Sequence, residues 1–336
     1  MKLILIGFGS VGQGLVQILR DKQADLASRY GFSPQVIAVV TARRGSLYQP
    51  NGLDLDALLA DFAAYPDQPE LERGWNAERL IRESDADVVV EASPSNLQTG
   101  QPALDLCRAA LENGKHVVLA NKGPVAVAYS ELMALAKTAN RQVLFEGTVM
   151  AGTPSLRLGM QALAGCTITA ARGILNGTTN YMLTQMESGK PYADALHEAQ
   201  ALGYAETDPT ADVDGWDAAA KAIIVSQAIF NKKLTFADMD VTGISHLTPP
   251  DIDAARAAGE RWKLIAYVTP EGGSVQPQRI SISHPLAGVS GTTNAITYTT
   301  DLLGDVTLIG SGAGRVQTGF ALLSDLLEIH KNFNLS

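Results

Sequence analysis

Lys2-Leu3-Ile4-Leu5-Ile6-Gly7-Phe8-Gly9-Ser10-Val11-Gly12-Gln13-Gly14 opens the chain and decides how its first half is read. An apolar run ending in glycine, Lys2–Ile6, predicts a strand buried on both faces. Gly14–Leu26 carries Leu15, Ile18, Leu19 and Leu26 at helical spacing. Between strand and helix lies GxGxxG, formed by Gly7, Gly9 and Gly12, with Phe8, Ser10 and Val11 in the same loop. The first glycine permits the tight turn, and the second lets backbone approach a pyrophosphate. The third lets helix and strand pack closely, and the helix N-terminus favours negative charge. The pattern alone is weak, and a glycine-rich structural turn is the alternative. The strand before it and the helix after it point to a dinucleotide site.

Working outward, Gln35–Val40, Asp87–Glu91, His116–Leu119 and Gln142–Glu146 read as further strands, with helices at Pro102–Asn113 and Ser130–Asn140. Strand and helix in alternation predict an α/β domain over residues 1–150, a Rossmann-type doubly wound parallel sheet. Residues 45–75, rich in Pro, Gly and charge, read as a surface excursion with a short helix near Leu55–Ala63. Beyond 150 the pattern changes. Ala-rich helical stretches at 191–202 and 215–231 precede β-like runs at Lys263–Thr269, Arg279–Ser283, Ala295–Thr300 and Val306–Ile309. These predict a second, α+β domain over 151–309 for substrate binding and dimerisation. A glycine turn and apolar helix over 310–336 are expected to return and complete the first domain.

At ~150 residues per domain, 336 residues agree with two domains. A hydrophobic fraction of 46% with 18% charged residues excludes disorder. The formal charge of −9, without a dense basic run, argues against a nucleic-acid partner. Cys107 and Cys166 can build neither a disulfide framework nor a Cys-rich zinc site, and the histidines lack metal-ligand spacing. No 18-residue apolar run or signal-peptide core occurs, so a soluble cytoplasmic protein without a membrane partner is expected.

Three further segments carry candidate chemistry. After the second strand the chain reads Thr41-Ala42-Arg43-Arg44, without the acid that usually holds a ribose 2′-hydroxyl. Arg43 and Arg44 suit a 2′-phosphate, which favours NADP and leaves NAD open; solvated surface charges are the alternative. Lys122 follows the fourth strand at its carboxyl end, where it can face a reacting carbonyl or carboxylate, or simply solvent. Glu206, Asp208, Asp212, Asp214 and Asp217 place five carboxylates in twelve residues, with spacing that does not fit an EF-hand. Asp217 and Lys221 are i, i+4 and share a helix face. As an exposed pair they add a few tenths of a kcal/mol. At a cleft, the lysine could move a proton to or from a hydroxyl while the neighbouring acids bind a substrate ammonium.

Taken together these motifs resemble homoserine dehydrogenase across nearly the whole chain. The resemblance rests on GFGSVGQG at 7–14, ANKGPVA at 120–126, EGTVMAGTP at 146–154, GILNGTTNYML at 173–183, LGYAETDPTADVDGWDAAAK at 202–221 and GSGAGRVQTGFALLSD at 310–325. It implies interconversion of L-homoserine, a small amino-acid substrate, and L-aspartate 4-semialdehyde with NAD(P), within threonine, methionine and isoleucine synthesis. It implies that Lys221 is the acid/base, Asp217 its partner at the substrate, Glu206 the holder of the substrate amino group, and Lys122 the lysine beside nicotinamide and substrate. Substrate contacts are further implied for Gly177, Thr178, Asp208 and Asp212. Cofactor contacts are implied for the Gly7–Gly12 loop, Ser93, Gly203 and Gly314. Glu146, with the backbone carbonyls of Val149, Ala151 and Thr153, matches a monovalent-cation site; oxygen ligands suit a hard cation, and sodium is the family expectation. A homodimer is the family pattern.

Departures are few. Gly319 stands where alanine is common, and Ser93-Pro94-Ser95 replaces a threonine-rich turn. With the last residue at 336, a short form without the C-terminal regulatory domain is expected. Two other readings stay open at this point: a related dehydrogenase acting on another amino-acid-derived alcohol or aldehyde, and a dinucleotide-binding sensor without chemistry.

Overall fold

The computed structural model describes residues 1–333. The chain forms two compact units, residues 1–152 with the segment from Gly314 onward, and Thr153–Ala313.

The first unit is built on a seven-stranded sheet in the order β4-β3-β2-β1-β5-β6-β7. The strands are β1 (Lys2–Ile6), β2 (Gln35–Thr41), β3 (Gly45–Tyr48), β4 (Glu72–Arg73), β5 (Val88–Glu91), β6 (His116–Leu119) and β7 (Val143–Leu144). β2, β1, β5, β6 and β7 are parallel. Leu3, Leu5, Val88, Val90 and Val118 are buried with Leu15 and Leu19 of the first helix, Ser10–Asp21. Continuous apolar runs of this kind are what a parallel sheet covered on both faces requires. The strand order reverses between β1 and β5, which makes their carboxyl ends the switch point of the sheet.

The helix Arg315–Phe333 adds Leu322, Leu323, Leu326 and Ile329 to the same core. It crosses the Ser10–Asp21 helix backbone to backbone. A Cβ on Gly14 would meet the Arg315 carbonyl oxygen at 2.0 Å, and one on Gly319 would lie 2.6 Å from the Gly14 carbonyl carbon. Gly319 thus sits against another glycine at a tight helix crossing.

Two expectations for this unit need correction. The stretch after β2 is more than an excursion around a short helix: Gly45–Tyr48 turns back antiparallel on β2, and Glu72–Arg73 pairs with it. Gly45, at φ +78°, allows the immediate reversal, and Leu47 and Tyr48 are buried by it. The strand expected at Gln142–Glu146 pairs only at Val143 and Leu144. Glu146 instead begins a 3₁₀ turn, and its N–H donates to Asp325 of the C-terminal helix at 3.1 Å.

The second unit contains a six-stranded sheet, β13-β12-β8-β10-β11-β9. Its strands are β8 (Ile168–Ile174), β9 (Met239–Val241), β10 (Glu260–Thr269), β11 (Gly272–Ser281), β12 (Thr293–Thr300) and β13 (Gly304–Ser311). All pairs are antiparallel except β11 with β9. The sequence reading missed β8, an inner strand of the sheet. Ala170, Ala171, Arg172 and Gly173 show no β-branched pattern, yet a Cβ on Gly173 would come within 2.3 Å of the Ala295 carbonyl oxygen of β12. Close backbone packing, not side-chain propensity, makes this a strand.

The helices Gly177–Glu187 and Trp216–Phe230 pack on this sheet. Residues 218–227 of the latter are buried without interruption, as in a helix at the centre of a domain. Lys221 lies within that run. No helix among the described residues is long and apolar enough to cross a membrane.

Candidate active site

In the first unit, the carboxyl edge of the sheet collects most of the residues expected at the dinucleotide. Gly7, at φ +92°, packs against β5: a Cβ there would stand 2.6 Å from the Ala92 carbonyl and the Ser93 nitrogen. A Cβ on Gly12 would come within 2.5 Å of the Gly7 carbonyl oxygen. Gly9 is different, because a Cβ there would meet nothing within 4 Å. It caps the Ser10–Asp21 helix without a side-chain hydrogen bond, and the first turn holds no acid. The loop therefore presents unfilled N–H groups and open space at a helix N-terminus, which fits a pyrophosphate.

Arg43 and Arg44 lie in the turn between β2 and β3, both exposed. Arg44 donates from Nη2 to the Phe8 carbonyl at 2.6 Å, and its guanidinium lies 5.8 and 5.0 Å from the Phe8 and Phe62 ring centroids. It is thereby fixed beside the glycine loop. Ser93 follows β5. Lys122 begins the Lys122–Ala139 helix directly after β6, and its N–H donates to Ser95 Oγ at 2.9 Å. Asn121 caps this helix, with its Oδ1 accepting from the Gly123 N–H at 2.9 Å.

The second unit holds a polar cluster around Lys221. The ammonium donates to the Leu175 carbonyl and to Asp217 Oδ2, each at 2.7 Å. The two side chains are 10% and 19% exposed, so this is a largely buried pair and not the surface i, i+4 contact that spacing alone allowed. Asn176 Nδ2 donates to Asp212 Oδ1 at 2.6 Å and to Asp217 Oδ2 at 3.0 Å. Its Oδ1 accepts from the Thr179 N–H at 2.9 Å and so caps the Gly177–Glu187 helix. Thr178 Oγ1 donates to the Tyr204 carbonyl at 2.7 Å. Burial pushes the Asp212 carboxyl above its usual range, and the charge of Asp217 adds to this; Asn176 and Lys221 pull it back. A lysine ammonium has three N–H donors. Two are engaged here, and the third has no hydrogen-bond partner among the described residues.

The structure thus brings Lys221, Asp217, Asp212, Gly177 and Thr178 into one neighbourhood. Glu206 and Asp208 are exposed on the preceding loop. Asp208 is engaged locally, because its Oδ1 accepts from the Thr210 N–H and hydroxyl, which holds its carboxyl below the usual range. Gly203, at φ +73°, turns the chain out of the Tyr192–Ala201 helix. Gly314, at φ +137°, immediately precedes the Arg315–Phe333 helix. Of the proposed cation ligands, Glu146, Val149 and Ala151 are buried. Met150 and Ala151 both adopt positive φ, +57° and +50°, a strained pair that turns the backbone sharply within the 146–152 segment. Thr153 belongs to the second unit, where its Oγ1 donates to the Ser311 carbonyl at 3.0 Å. Sequence reasoning singled out neither Asn176 nor Asn121. Each immediately precedes a candidate residue, and a cap position before a helix was the available signal.

Comparison with known proteins agrees with both units. The homoserine dehydrogenase NAD-binding domain model matches residues 7–146, and the homoserine dehydrogenase model matches residues 154–327. An NAD(+)-dependent homoserine dehydrogenase of Pseudomonas canavaninivorans is 44% identical, with 98% of this chain and 96% of that protein covered. A homoserine dehydrogenase of Methanocaldococcus jannaschii is 40% identical, with 99% of each covered. Among solved structures, a hyperthermophilic archaeal homoserine dehydrogenase in complex with NADPH superposes with a TM-score of 0.85 at 30% identity, covering 99% of this chain and 98% of that one. With one family model on each unit and relatives aligned almost end to end, the chain belongs to the homoserine dehydrogenase family.

Proposed function

We propose that this protein interconverts L-homoserine and L-aspartate 4-semialdehyde, with Lys221 as the group that moves the proton. The observation that carries the reading is the buried ammonium of Lys221, fixed by the Leu175 carbonyl and Asp217 with one donor to spare. Nicotinamide, when bound, accepts or returns the hydride. The remaining work belongs to the chain. In the oxidative direction the neutral amine of Lys221 takes the hydroxyl proton as hydride leaves the carbon. In the reductive direction the ammonium gives that proton to the nascent alkoxide. Asp217 holds the amine in place and stabilises its charged form. Glu206, on the exposed loop, would hold the substrate ammonium, with Asp208 and Asp212 adding negative charge. The first-turn N–H groups of the Gly177–Glu187 helix that the Asn176 cap leaves, with Thr178, suit the substrate carboxylate. Lys122 is the cation at the nicotinamide side.

For the cofactor we favour NADP over NAD. Arg44 is anchored on Phe8, and Arg43 beside it is exposed and suited to a 2′-phosphate. A sodium ion would be held by Glu146 with the carbonyls of Val149, Ala151 and Thr153, an all-oxygen set. A homodimer through the second unit is supported by exposed apolar side chains there, Ile282, Leu302, Leu303 and Ile309; light scattering checks the mass. The place of the reaction in threonine, methionine and isoleucine synthesis follows from its substrate pair.

The deciding experiment is a spectrophotometric assay with L-homoserine and each nicotinamide cofactor. Reduction of the cofactor on adding L-homoserine is expected, faster with NADP. Cofactor binding without reduction would leave a dinucleotide sensor, and reduction with other amino alcohols in preference would leave a related dehydrogenase.

A further inference from the structure

Glu91 is the last residue of β5, in register with Ile6 of β1 and Leu119 of β6. It therefore sits at the switch point of the sheet, yet it is fully buried. One of its oxygens makes all the hydrogen bonds. Oε1 accepts from the Ser93 N–H at 2.8 Å, from the Ser93 hydroxyl, and from Asn121 Nδ2 at 3.4 Å. Oε2 has no partner. Asn121 Nδ2 also reaches Ser93 Oγ at 3.2 Å and the Pro94 carbonyl at 3.3 Å, while Asn121 Oδ1 caps the helix that begins at Lys122.

We propose that Glu91 is a positioning residue: its single bonding oxygen ties the loop after β5 to the loop after β6, and so sets where Ser93 and Lys122 stand. The roles of Ser93 and Lys122 rest on the function proposed above; the tie itself does not. Burial raises the Glu91 carboxyl above its usual range, while the bonds from Ser93 and Asn121 oppose this. A neutral acid suffices for the tie, because only an accepting oxygen is used.

The test compares Glu91→Gln with Glu91→Leu in the full-length protein. Glutamine keeps the accepting oxygen and puts its NH₂ where Oε2 stands. Leucine keeps the bulk and removes the acceptor. By hydrogen exchange, the Ser93 and Gly123 amides should exchange about tenfold faster in Glu91→Leu and stay near the parent in Glu91→Gln. In the assay, kcat per folded site should fall about 10²-fold in Glu91→Leu, with a smaller change in dinucleotide affinity, and be rescued in Glu91→Gln. If Glu91→Leu does not fold, Asn121→Asp sets an acceptor against Oε1 while keeping the Gly123 cap; it should speed Ser93 exchange, and unchanged Ser93 exchange in that variant overturns the proposal. Unchanged exchange in Glu91→Leu, or a glutamine variant as damaged as the leucine variant, overturns the proposal. So does faster exchange with kcat per folded site within threefold of the parent. A parent that does not oxidise L-homoserine instead overturns the function, and the exchange measurements still decide the tie.

Discussion

Replacing Lys221 by alanine removes an ammonium from the interior of the second unit together with its two 2.7 Å hydrogen bonds. Asp217 stays behind, 19% exposed and still bonded to Asn176 at 3.0 Å, with Asp212 on the same amide. Truncating one partner of a buried ion pair costs about 3–5 kcal/mol, because the other charge remains buried. The residual exposure of Asp217 and its bond to Asn176 place this case at the lower end, about 3 kcal/mol. A domain stable by ~5–15 kcal/mol survives that loss. Turnover is a separate quantity. If Lys221 moves the proton as proposed, turnover should fall by ~10²–10⁴-fold, with dinucleotide affinity little changed. The stability deficit should also depend on pH. Asp212 already titrates above its ordinary value, and losing the opposing charge of Lys221 raises it further. A carboxyl with a raised folded pKa contributes stability that is complete below its unfolded pKa and lost as pH rises through the folded one. The variant should therefore fall further behind the parent as pH rises from about 4 toward neutrality. Urea unfolding across that range and steady-state assays with matched active-site concentrations measure both effects. A folded Lys221→Ala protein with kcat within tenfold of the parent would refute the mechanism.

Three other outcomes are expected. Arg43→Ala should weaken NADP binding by about tenfold and leave NAD nearly unaffected; equal losses for both, read by titration, would remove Arg43 from 2′-phosphate recognition. His116, buried on β6, accepts the Gln142 N–H on Nδ1 and is held down to about 4, chiefly by burial and then by the charge of Arg141. With the folded pKa below the unfolded one, the unfolded chain takes up the extra proton, so about 3 kcal/mol of stability should vanish between pH 6.5 and 4. That component should be absent from His116→Asn in urea titrations, and its persistence there would assign it to other groups. Gly14→Ala should drive a methyl against the Arg315 carbonyl oxygen, which would stand only 2.0 Å away. A loss of about 1–3 kcal/mol is expected on the thermal midpoint, and an unshifted midpoint would mean the helix pair separates freely.

Much of the first unit was legible in the chain itself, for local reasons. The runs Lys2–Ile6 and His116–Leu119 became strands with the same ends, because a continuous apolar run closed by a turn signal carries its meaning within itself. The glycine loop was readable too, since its pattern directly follows a strand and opens a helix. β8 was not: its Ala-Ala-Arg-Gly stretch becomes a strand only because β10 and β12 lie on either side of it.

The candidate site divides the same way. Spacing put Asp217 and Lys221 on one helix face, and resemblance assigned them roles. Whether that pair was a solvated surface contact or a buried ion pair depended on the Leu175 carbonyl, 46 residues away, and on a helix enclosed on all sides. Asn176 became the bridge between Asp212 and Asp217 only once three segments met. The strand containing Glu91 was legible, and its buried carboxyl was not, because its partners come from Ser93 and from Asn121, 30 residues on. Periodicity, turn chemistry and charge are properties of neighbouring residues, so the sequence by itself determined those elements whose signal is local and the chemical types available. Burial, desolvation and hydrogen-bond partnership are properties of segments distant in the chain, and only the tertiary structure decided which of those groups meet.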